Sequence, residues 1–167
     1  MHTRAGGDNT VVLTRRPSRA QRLWFRLPAW LYRLGLGRLL GHRFLLLEHR
    51  GRRTGRLHRT PLEVVRYDPA RREATVISAW GEAADWYRNL RAAPPVAVHL
   101  AGDRYVPEAR LLDDAERLEL LRWVRRHHPI EARLARPILG WSLDGSEAEL
   151  AELATRLRAV AFRPSAG

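Results

Sequence analysis

The chain has 167 residues, a net charge of +12 and no cysteine, and all 30 residues counted as Lys plus Arg are arginine. This length fits one domain with a hydrophobic core, and the absence of cysteine excludes disulfides, thiolate metal sites and cysteine nucleophiles. The arginine surplus predicts a surface that attracts anions, although a solvated basic surface without any ligand has the same composition.

The N-terminal part has no signal peptide and the chain has no stretch long enough to span a bilayer, so we expect a cytoplasmic protein. Residues 1–18 are expected to be a loose tail, followed by a single domain over residues 19–164. Between Arg22 and Leu40 lies a basic, aromatic-rich segment in which Pro28 and Gly35 predict the two ends of a helix. Such a helix packs on the domain or makes a peripheral membrane contact, and both interpretations remain open.

Hydrophobic alternation predicts a set of strands in the central part of the chain. The expected strands are Phe44–His49, Leu57–Tyr67, Glu73–Ala79, Val96–Leu100, Arg104–Leu112 and Arg158–Arg163. In the second strand, Leu62 and Val64 are expected on one face, and Val65 and Tyr67 on the other. The order of these strands is that of an antiparallel meander.

Three helices are predicted between and after the strands. The first covers about Ala84–Ala92 and stops before Pro94 and Pro95. The other two begin at capping-box patterns that start with Asp113 and Ser146. Because strands and helices do not alternate in a βαβ rhythm, we expect an α+β antiparallel barrel with covering helices rather than a Rossmann domain.

The first candidate site is the loop Gly51–Arg56, with Arg59 just beyond it. Glycines allow a tight turn, and Arg52, Arg53 and Arg56 can bind phosphate or carboxylate in a bidentate manner. The loop lacks the Gly-Lys-Ser/Thr ending of a Walker A motif. The same residues also fit an exposed β-hairpin loop without a ligand, so spacing alone leaves both interpretations open.

The second candidate site is Ser78–Gly81, where a strand leads into a helix. Free N–H groups at a helix start suit an anionic or polar ring edge, and Trp80, Trp86 and Tyr87 would wall a flat aromatic ligand. In the alternative interpretation Trp86 belongs to the core, Trp80 caps it and Asn89 is solvated.

The adjacent His127 and His128 end the second predicted helix. Neighbouring helical residues point about 100° apart, so the pair is not a metal clip, and no metal site is predicted. Histidines near a helix C-terminus are also favourable for the helix dipole alone. Neither a catalytic triad nor a pair of catalytic carboxylates is recognisable.

Three runs occur in an order and spacing that resemble the deazaflavin-dependent nitroreductase family. They are Gly51–Leu62, Val76–Ser78 and Asp85–Pro94, and the similarity covers roughly His42–Pro129. The resemblance implies a split β-barrel of the FMN-binding type that binds coenzyme F420, with FMN as the alternative cofactor. It also implies hydride transfer from the reduced deazaflavin to an acceptor such as a quinone, enone or nitro compound.

The resemblance further implies which residues contact the cofactor. Residues matching those that hold its phosphate and acidic tail are Arg53, Thr54, Arg56, His58 and Arg59. Residues matching the cofactor groove, the segment against the ring and the following helix are Thr60, Pro61, Ser78, Ala79, Trp80, Gly81 and Asn89. The catalytic proton donor is unassigned, with Tyr87 and His128 as candidates.

The alternative to this function is a split-barrel binding protein for FMN, haem or a lipid without F420 catalysis. Nucleic-acid binding is not expected, because the sequence has no basic helix arranged for a groove and no recognisable nucleic-acid module. The expected partner is a small-molecule electron acceptor, and a homodimer remains open.

Overall fold

The computed structural model describes residues 40–78, 80–128 and 143–165. These ranges hold seven strands: β1 (Phe44–Arg50), β2 (Leu57–Asp68), β3 (Glu73–Ser78), β4 (Ala97–Leu100), β5 (Asp103–Tyr105), β6 (Pro107–Leu111) and β7 (Arg158–Pro164). They also hold the helices α1 (Asp85–Ala92), α2 (Asp114–His127) and α3 (Glu147–Arg156), with a 3-10 turn at Gly81–Ala83 before α1. The predicted tail and all but the last residue of the predicted N-terminal helical segment lie outside the described ranges.

The strands form a strongly curved antiparallel sheet in the order β5-β4-β1-β2-β3-β7-β6. β5 and β6 lie at opposite ends of this order although only Val106 separates them in the chain. The sheet therefore curls until its two ends meet, which gives a nearly closed barrel. This confirms the predicted α+β fold with a split antiparallel barrel and covering helices.

The prediction of a single strand over Arg104–Leu112 is wrong. The segment forms two strands, and they belong to different halves of the barrel. β5 pairs with β4, whereas β6 pairs with β7. At the change of partner, the Val106 carbonyl accepts hydrogen bonds from the N–H and the hydroxyl of Ser165, at 3.1 and 2.6 Å. A continuous hydrophobic pattern does not reveal such a change of partner.

The interior of the barrel is the first hydrophobic core. Fully buried side chains from four strands fill it, among them Leu45, Leu47, Val76, Val98 and Phe162. Trp86 and Tyr87 of α1 join the same cluster, with exposed fractions of 7% and 5%. Each large apolar side chain buried in this way contributes roughly 1.5–3 kcal/mol. Trp86 is thus a core residue.

A second core lies on the outside of the barrel, where α2 and α3 cover β3 and β7. Leu121 of α2 and Leu150 of α3 pack against Ile77 and Ala161. Both helices begin with a complete capping box, formed by Asp113 with Glu116 and by Ser146 with Glu149. The two predicted helix starts are therefore confirmed.

A β-bulge in β2 corrects the predicted distribution of its side chains. Val64 pairs with Val76 and Tyr67 pairs with Ala74, so three residues of β2 are matched by two of β3. The extra residue, Val65, faces the outer core, and Tyr67 then faces the barrel interior together with Val64. The expectation that Tyr67 shares a face with Val65 is wrong, because a bulge shifts the alternation by one residue.

Candidate functional site

The loop between β1 and β2 is a compact β-hairpin connection. The Gly51 N–H donates to the Arg56 carbonyl at 2.8 Å, and the Gly55 N–H donates to the Gly51 carbonyl at 2.7 Å. Gly55 has a φ of +66°, which only glycine adopts without strain. Arg50 pairs with Leu57 directly below the loop. The segment is therefore a β-hairpin loop, as both interpretations allow, and a ligand role has to rest on the side chains.

Asn89 of α1 ties this loop to the helix. Its Oδ1 accepts from the Arg52 backbone N–H at 3.0 Å and from Arg52 Nη1 at 3.1 Å. The same Nη1 donates to Asp85 Oδ1 at 3.0 Å. Asn89 is 4% exposed, so the alternative in which this residue is solvated is wrong. Arg52 is thereby directed toward α1, and its contacts with the helix help to fix the loop.

Only one assignment of donors and acceptors is consistent with the hydrogen bonds around Asn89. A backbone N–H and a guanidinium can only donate, so the Asn89 oxygen faces Arg52 and its Nδ2 faces His49 Nδ1, 3.1 Å away. His49 Nδ1 must then be the unprotonated acceptor, and the ring proton is on Nε2, 2.9 Å from Thr60 Oγ1. The Thr60 oxygen therefore accepts, and its own proton is available for another acceptor.

The charge state of His49 agrees with this direction. Its ring is 3% exposed, and burial lowers the pKa of His49 to about 4, with a further lowering from His58 and an opposing effect of Asp85. A neutral ring is required because a protonated Nδ1 would point at the Asn89 amide hydrogens. The network is thus neutral at every pH near 7.

Arg53 and Arg56 carry the free positive charge of the loop. Both are exposed, and in the ranges that the structure describes neither guanidinium has an acidic partner. The His58 ring lies at the base of the loop, stacked on His49 with ring centroids 5.6 Å apart. It also lies so close to Gly51 that a Cβ there would be 2.9 Å from His58 Nε2. The hairpin thus carries two guanidiniums without an acidic partner in the described ranges and an imidazole at its base.

A separate cluster of charges surrounds Glu48, whose exposed fraction is 2%. Arg59 Nε and Arg104 Nη2 each donate to a different Glu48 oxygen at 2.9 Å. His99 Nε2 lies 3.3 Å from Glu48 Oε1, in poor alignment for a hydrogen bond. Burial alone would raise the pKa of Glu48, but Arg104, Arg59 and His99 outweigh it and hold the pKa below its ordinary value.

The predicted cofactor residues of β2 lie on two different faces of the strand. His58 and Thr60 pair with His49 and Leu47 and share the interior face, whereas Arg59 pairs with Glu48. Pro61 follows Arg59 on the outer face. The structure therefore brings His58 and Thr60 together with the loop, and it separates them from Arg59 and Pro61.

The second predicted segment forms a closed turn at the end of β3. The buried Ser78 hydroxyl donates to the Gly81 carbonyl at 2.8 Å, and Gly81 has a φ of +52°. Trp80 is half-buried and packs against the barrel core, as its capping interpretation expects. Ala79 lies outside the described residues.

The two proton-donor candidates occupy very different environments. Tyr87 is enclosed in the barrel core, with its ring edge-on to Trp86 at a centroid distance of 5.9 Å. His128 follows the last residue of α2, and its half-buried ring lies 5.1 Å from that of Trp123. Of the two, His128 is the more accessible to a ligand.

Sequence reasoning missed Glu48 and His49, the two buried polar residues at the end of β1. The signal was present, because both were placed at the end of an apolar run expected to be buried. A buried carboxylate or imidazole requires a partner. The partners come from β2, β4, β5 and α1, and their identity is not readable from the local sequence.

A family model described as F420H2-dependent quinone reductase matches residues 24–136, about two thirds of the chain. A search of curated proteins gives no significant match. None of the helices in the described ranges has the length and apolar character that crossing a bilayer requires.

Three solved structures are similar in outline. An F420H2-dependent reductase (FDR-A) has 18% identity and a TM-score of 0.49, covering 74% of this chain and 96% of its own. A protein of unknown function from Agrobacterium tumefaciens has 15% identity and a TM-score of 0.49, covering 84% and 56%. An FMN-binding protein related to pyridoxamine 5'-phosphate oxidase, from Nostoc punctiforme, has 14% identity and a TM-score of 0.43, covering 83% and 79%. At TM-scores below 0.5 these likenesses carry no argument.

The residues at the loop fit an anionic cofactor. Arg53 and Arg56 are unpaired cations within the described ranges, and the Thr60 hydroxyl proton has no acceptor there. The family match favours F420 over the alternatives of FMN, haem or a lipid. The chain belongs to the F420H2-dependent quinone reductase family, and it is an oxidoreductase whose cofactor is coenzyme F420.

Proposed function

We propose that this protein transfers a hydride from reduced F420 to a quinone, with enones and nitro compounds as further acceptors of the same electron-poor class. The family to which the chain belongs is named for quinone reduction, which supports the quinone as the principal acceptor. When bound, the cofactor supplies the hydride chemistry, and the protein binds and orients the reactants. The main support for the binding site is that the loop arginines make different contacts. Arg52 contacts Asn89 and Asp85, whereas Arg53 and Arg56 have no acidic partner in the described ranges.

Arg52 fixes the loop, and Arg53 and Arg56 bind the ligand. Because Arg52 is directed at Asn89 and Asp85, the hairpin keeps its shape without using the other two cations. Arg53 and Arg56 then contact the phosphate or acidic tail of F420, since unpaired guanidiniums form strong bidentate contacts with such groups. Thr54 and His58 lie in or beside the same hairpin and complete this anionic subsite.

On the outer face of β2, Arg59 has its Nε bound to Glu48 and its side chain 61% exposed. Its terminal nitrogens make no hydrogen bond within the described ranges and are available to an outlying carboxylate of the tail. Pro61, on the same face, contributes a rigid apolar surface. We propose that the turn from Ser78 to Gly81 contacts the ring end of the cofactor. Because this turn is closed, it limits the space available to the ring.

We assign the proton donor to His128 rather than to Tyr87. Proton transfer requires approach within hydrogen-bond distance of the reacting group. Tyr87 is 5% exposed within the barrel core, and a substrate cannot reach it without opening the barrel. His128 is half-buried at the end of α2. For the N-terminal segment of residues 22–40, packing on the domain and peripheral membrane contact both remain open, and so does a homodimer.

The experiment is a fluorescence titration of the protein with F420 and with FMN, for the wild type and for Arg53→Ala. We expect F420 to bind more tightly than FMN, because its acidic tail reaches more arginines. Arg53→Ala should weaken F420 binding by about tenfold or more, since a charged hydrogen bond contributes roughly 1.5–3 kcal/mol. The melting temperature of the apoprotein should stay nearly unchanged, because Arg53 has no partner within the described ranges.

The matched control is Arg71→Ala, which removes an equally exposed arginine from the turn at the far end of β2. It should leave F420 affinity unchanged if the loop provides the site. Equal losses in the two variants would mean that only the overall positive charge matters. An FMN affinity equal to that for F420 would contradict the proposed cofactor preference, and failure of all quinones to oxidise the reduced complex would contradict the acceptor.

A further inference from the structure

We propose that Asn89 and His49 are positioning residues that make the Thr60 hydroxyl an obligatory hydrogen-bond donor to the cofactor. The ligand atom that it selects is an oxygen that only accepts, such as that of an ionised phosphate or carboxylate. This inference rests on the proposed function for its ligand, but the state of the network can be measured without any ligand. It also gives Asn89 a role different from the direct contact that the family resemblance implies.

The hydrogen-bond network from Arg52 to Thr60 has a fixed order of donors and acceptors. Arg52 can only donate to Asn89, which turns the amide nitrogen toward His49 and leaves His49 Nδ1 as the acceptor. The His49 proton on Nε2 then points at Thr60 Oγ1, 2.9 Å away. A threonine oxygen that accepts this bond can still donate its own proton, and no acceptor for that proton is found in residues 40–78, 80–128 and 143–165.

The position of Thr60 in β2 fits this role. Thr60 lies three pairs, or roughly 10 Å, from the last pair of the β1–β2 ladder, on the strand face that it shares with His58 at the base of the loop. The two inner members of the network are buried, at 3% exposure for His49 and 4% for Asn89. Their orientation is therefore fixed before any ligand arrives. A preorganised donor costs less ordering entropy on binding than a hydroxyl that rotates freely.

A role of Asn89 and His49 through Thr60 is distinguishable from a role of Asn89 in holding the loop alone. If Asn89 only holds the loop, then the position of the His49 proton has no effect on ligand binding. If the network acts through Thr60, removal of the hydroxyl must weaken the ligand while the loop and the network stay intact. Thr60→Val makes this change, because valine has nearly the same shape and lacks the proton.

The first experiment determines the His49 tautomer in the apoprotein by nitrogen-15 NMR of the imidazole rings, with the signals assigned from a His49→Gln sample. We expect Nδ1 without a proton and Nε2 with one at pH 7.5. In Asn89→Asp, a carboxylate that only accepts replaces the donating amide, so the proton should appear on His49 Nδ1. A wild-type ring with its proton on Nδ1, or an Asn89→Asp ring with Nδ1 unprotonated, would overturn the network direction.

The second experiment titrates F420 into the wild type, Thr60→Val and Thr60→Ser, with thermal melting as a check on folding. Thr60→Val should raise the F420 dissociation constant about tenfold or more, as expected for loss of one hydrogen bond to a charged group, whereas Thr60→Ser should bind within about threefold of wild type. Equal affinity of Thr60→Val and wild type would overturn the role of the hydroxyl. Failure of wild-type protein to bind F420 would instead contradict the proposed function, and the tautomer result would stand independently.

Discussion

Glu48 and His49 are neighbours in β1 and are almost equally buried, yet the protein satisfies them in opposite ways. Glu48, on the outer face, keeps its charge and gathers Arg59, Arg104 and His99 around it. His49, on the inner face, loses its charge through burial and joins a chain of neutral hydrogen bonds. The comparison shows that one strand can stabilise buried polar groups either by pairing charges or by discharging the group.

The two solutions have different consequences for a binding site. The outer cluster is partly neutralised, since the Glu48 carboxylate offsets one of its two arginines. The inner network contains no net charge of its own, so the field at the loop comes from Arg53 and Arg56, together with Arg50, whose guanidinium donates to the Gly55 carbonyl. An anion approaching the inner face therefore meets fixed donors, whereas the outer face offers arginines that are already partly occupied.

The largest effect on the free energy of unfolding should come from protonation of His49 in acid. Because its folded pKa is about 4 and its ordinary value is 6.5, the unfolded chain binds the proton more readily. The contribution of the neutral ring to stability is complete above pH 6.5 and declines as the pH falls through the window from 6.5 to about 4. Over this window the loss should reach about 3 kcal/mol, measured by urea unfolding at a series of pH values.

The control for the acid effect is His49→Gln, which cannot titrate in that window. Its unfolding free energy should change less with pH between 6.5 and 5 than that of the wild type. Glu48 does not interfere in that range, because its lowered folded pKa places its own loss of stability below about pH 4.5. Identical pH slopes for wild type and His49→Gln would show that His49 is not the group responsible.

The next largest effect should come from Glu48→Gln on the outer face. The substitution preserves shape but leaves Arg59 and Arg104 without their carboxylate. We expect a loss of about 1–3 kcal/mol, moderated because both arginines are more than half exposed and can turn to solvent. The loss should shrink in high salt, unlike that of His49 in acid. A salt-independent loss of the same size would indicate that packing, not charge, stabilises this face.

The smallest effect should come from Gly51→Ala, which tests how closely the inner network fits. The new Cβ would lie 2.9 Å from His58 Nε2, so the imidazole has to shift. Since a side chain can move at little expense, we expect under about 1 kcal/mol of destabilisation and a change of a few-fold in F420 affinity. A large loss of stability would mean that His58 is fixed by contacts that the hairpin cannot relax.

Most strands and all three described helices were predictable, because periodic apolar residues and capping boxes act locally. The bulge at Val65 was not, since one extra residue leaves no mark on composition yet moves Tyr67 to the other face. The loop arginines were predictable as a group, but their different roles were not. Arg52 differs from Arg53 through its contacts with Asn89 and Asp85, which are 37 and 33 residues away in the chain.

The position of β7 has a consequence for the order in which the barrel assembles. This strand lies between β3 and β6, and its pairing joins Ala74 to Phe162 and Ala109 to the same residue. During synthesis, the edges of β3 and β6 that pair with β7 therefore stay unpaired until β7 has emerged. Closing so long a loop is entropically costly and slow. Barrel closure therefore has to follow the synthesis of β7, and a chain truncated before Arg158 would expose two open strand edges to other proteins.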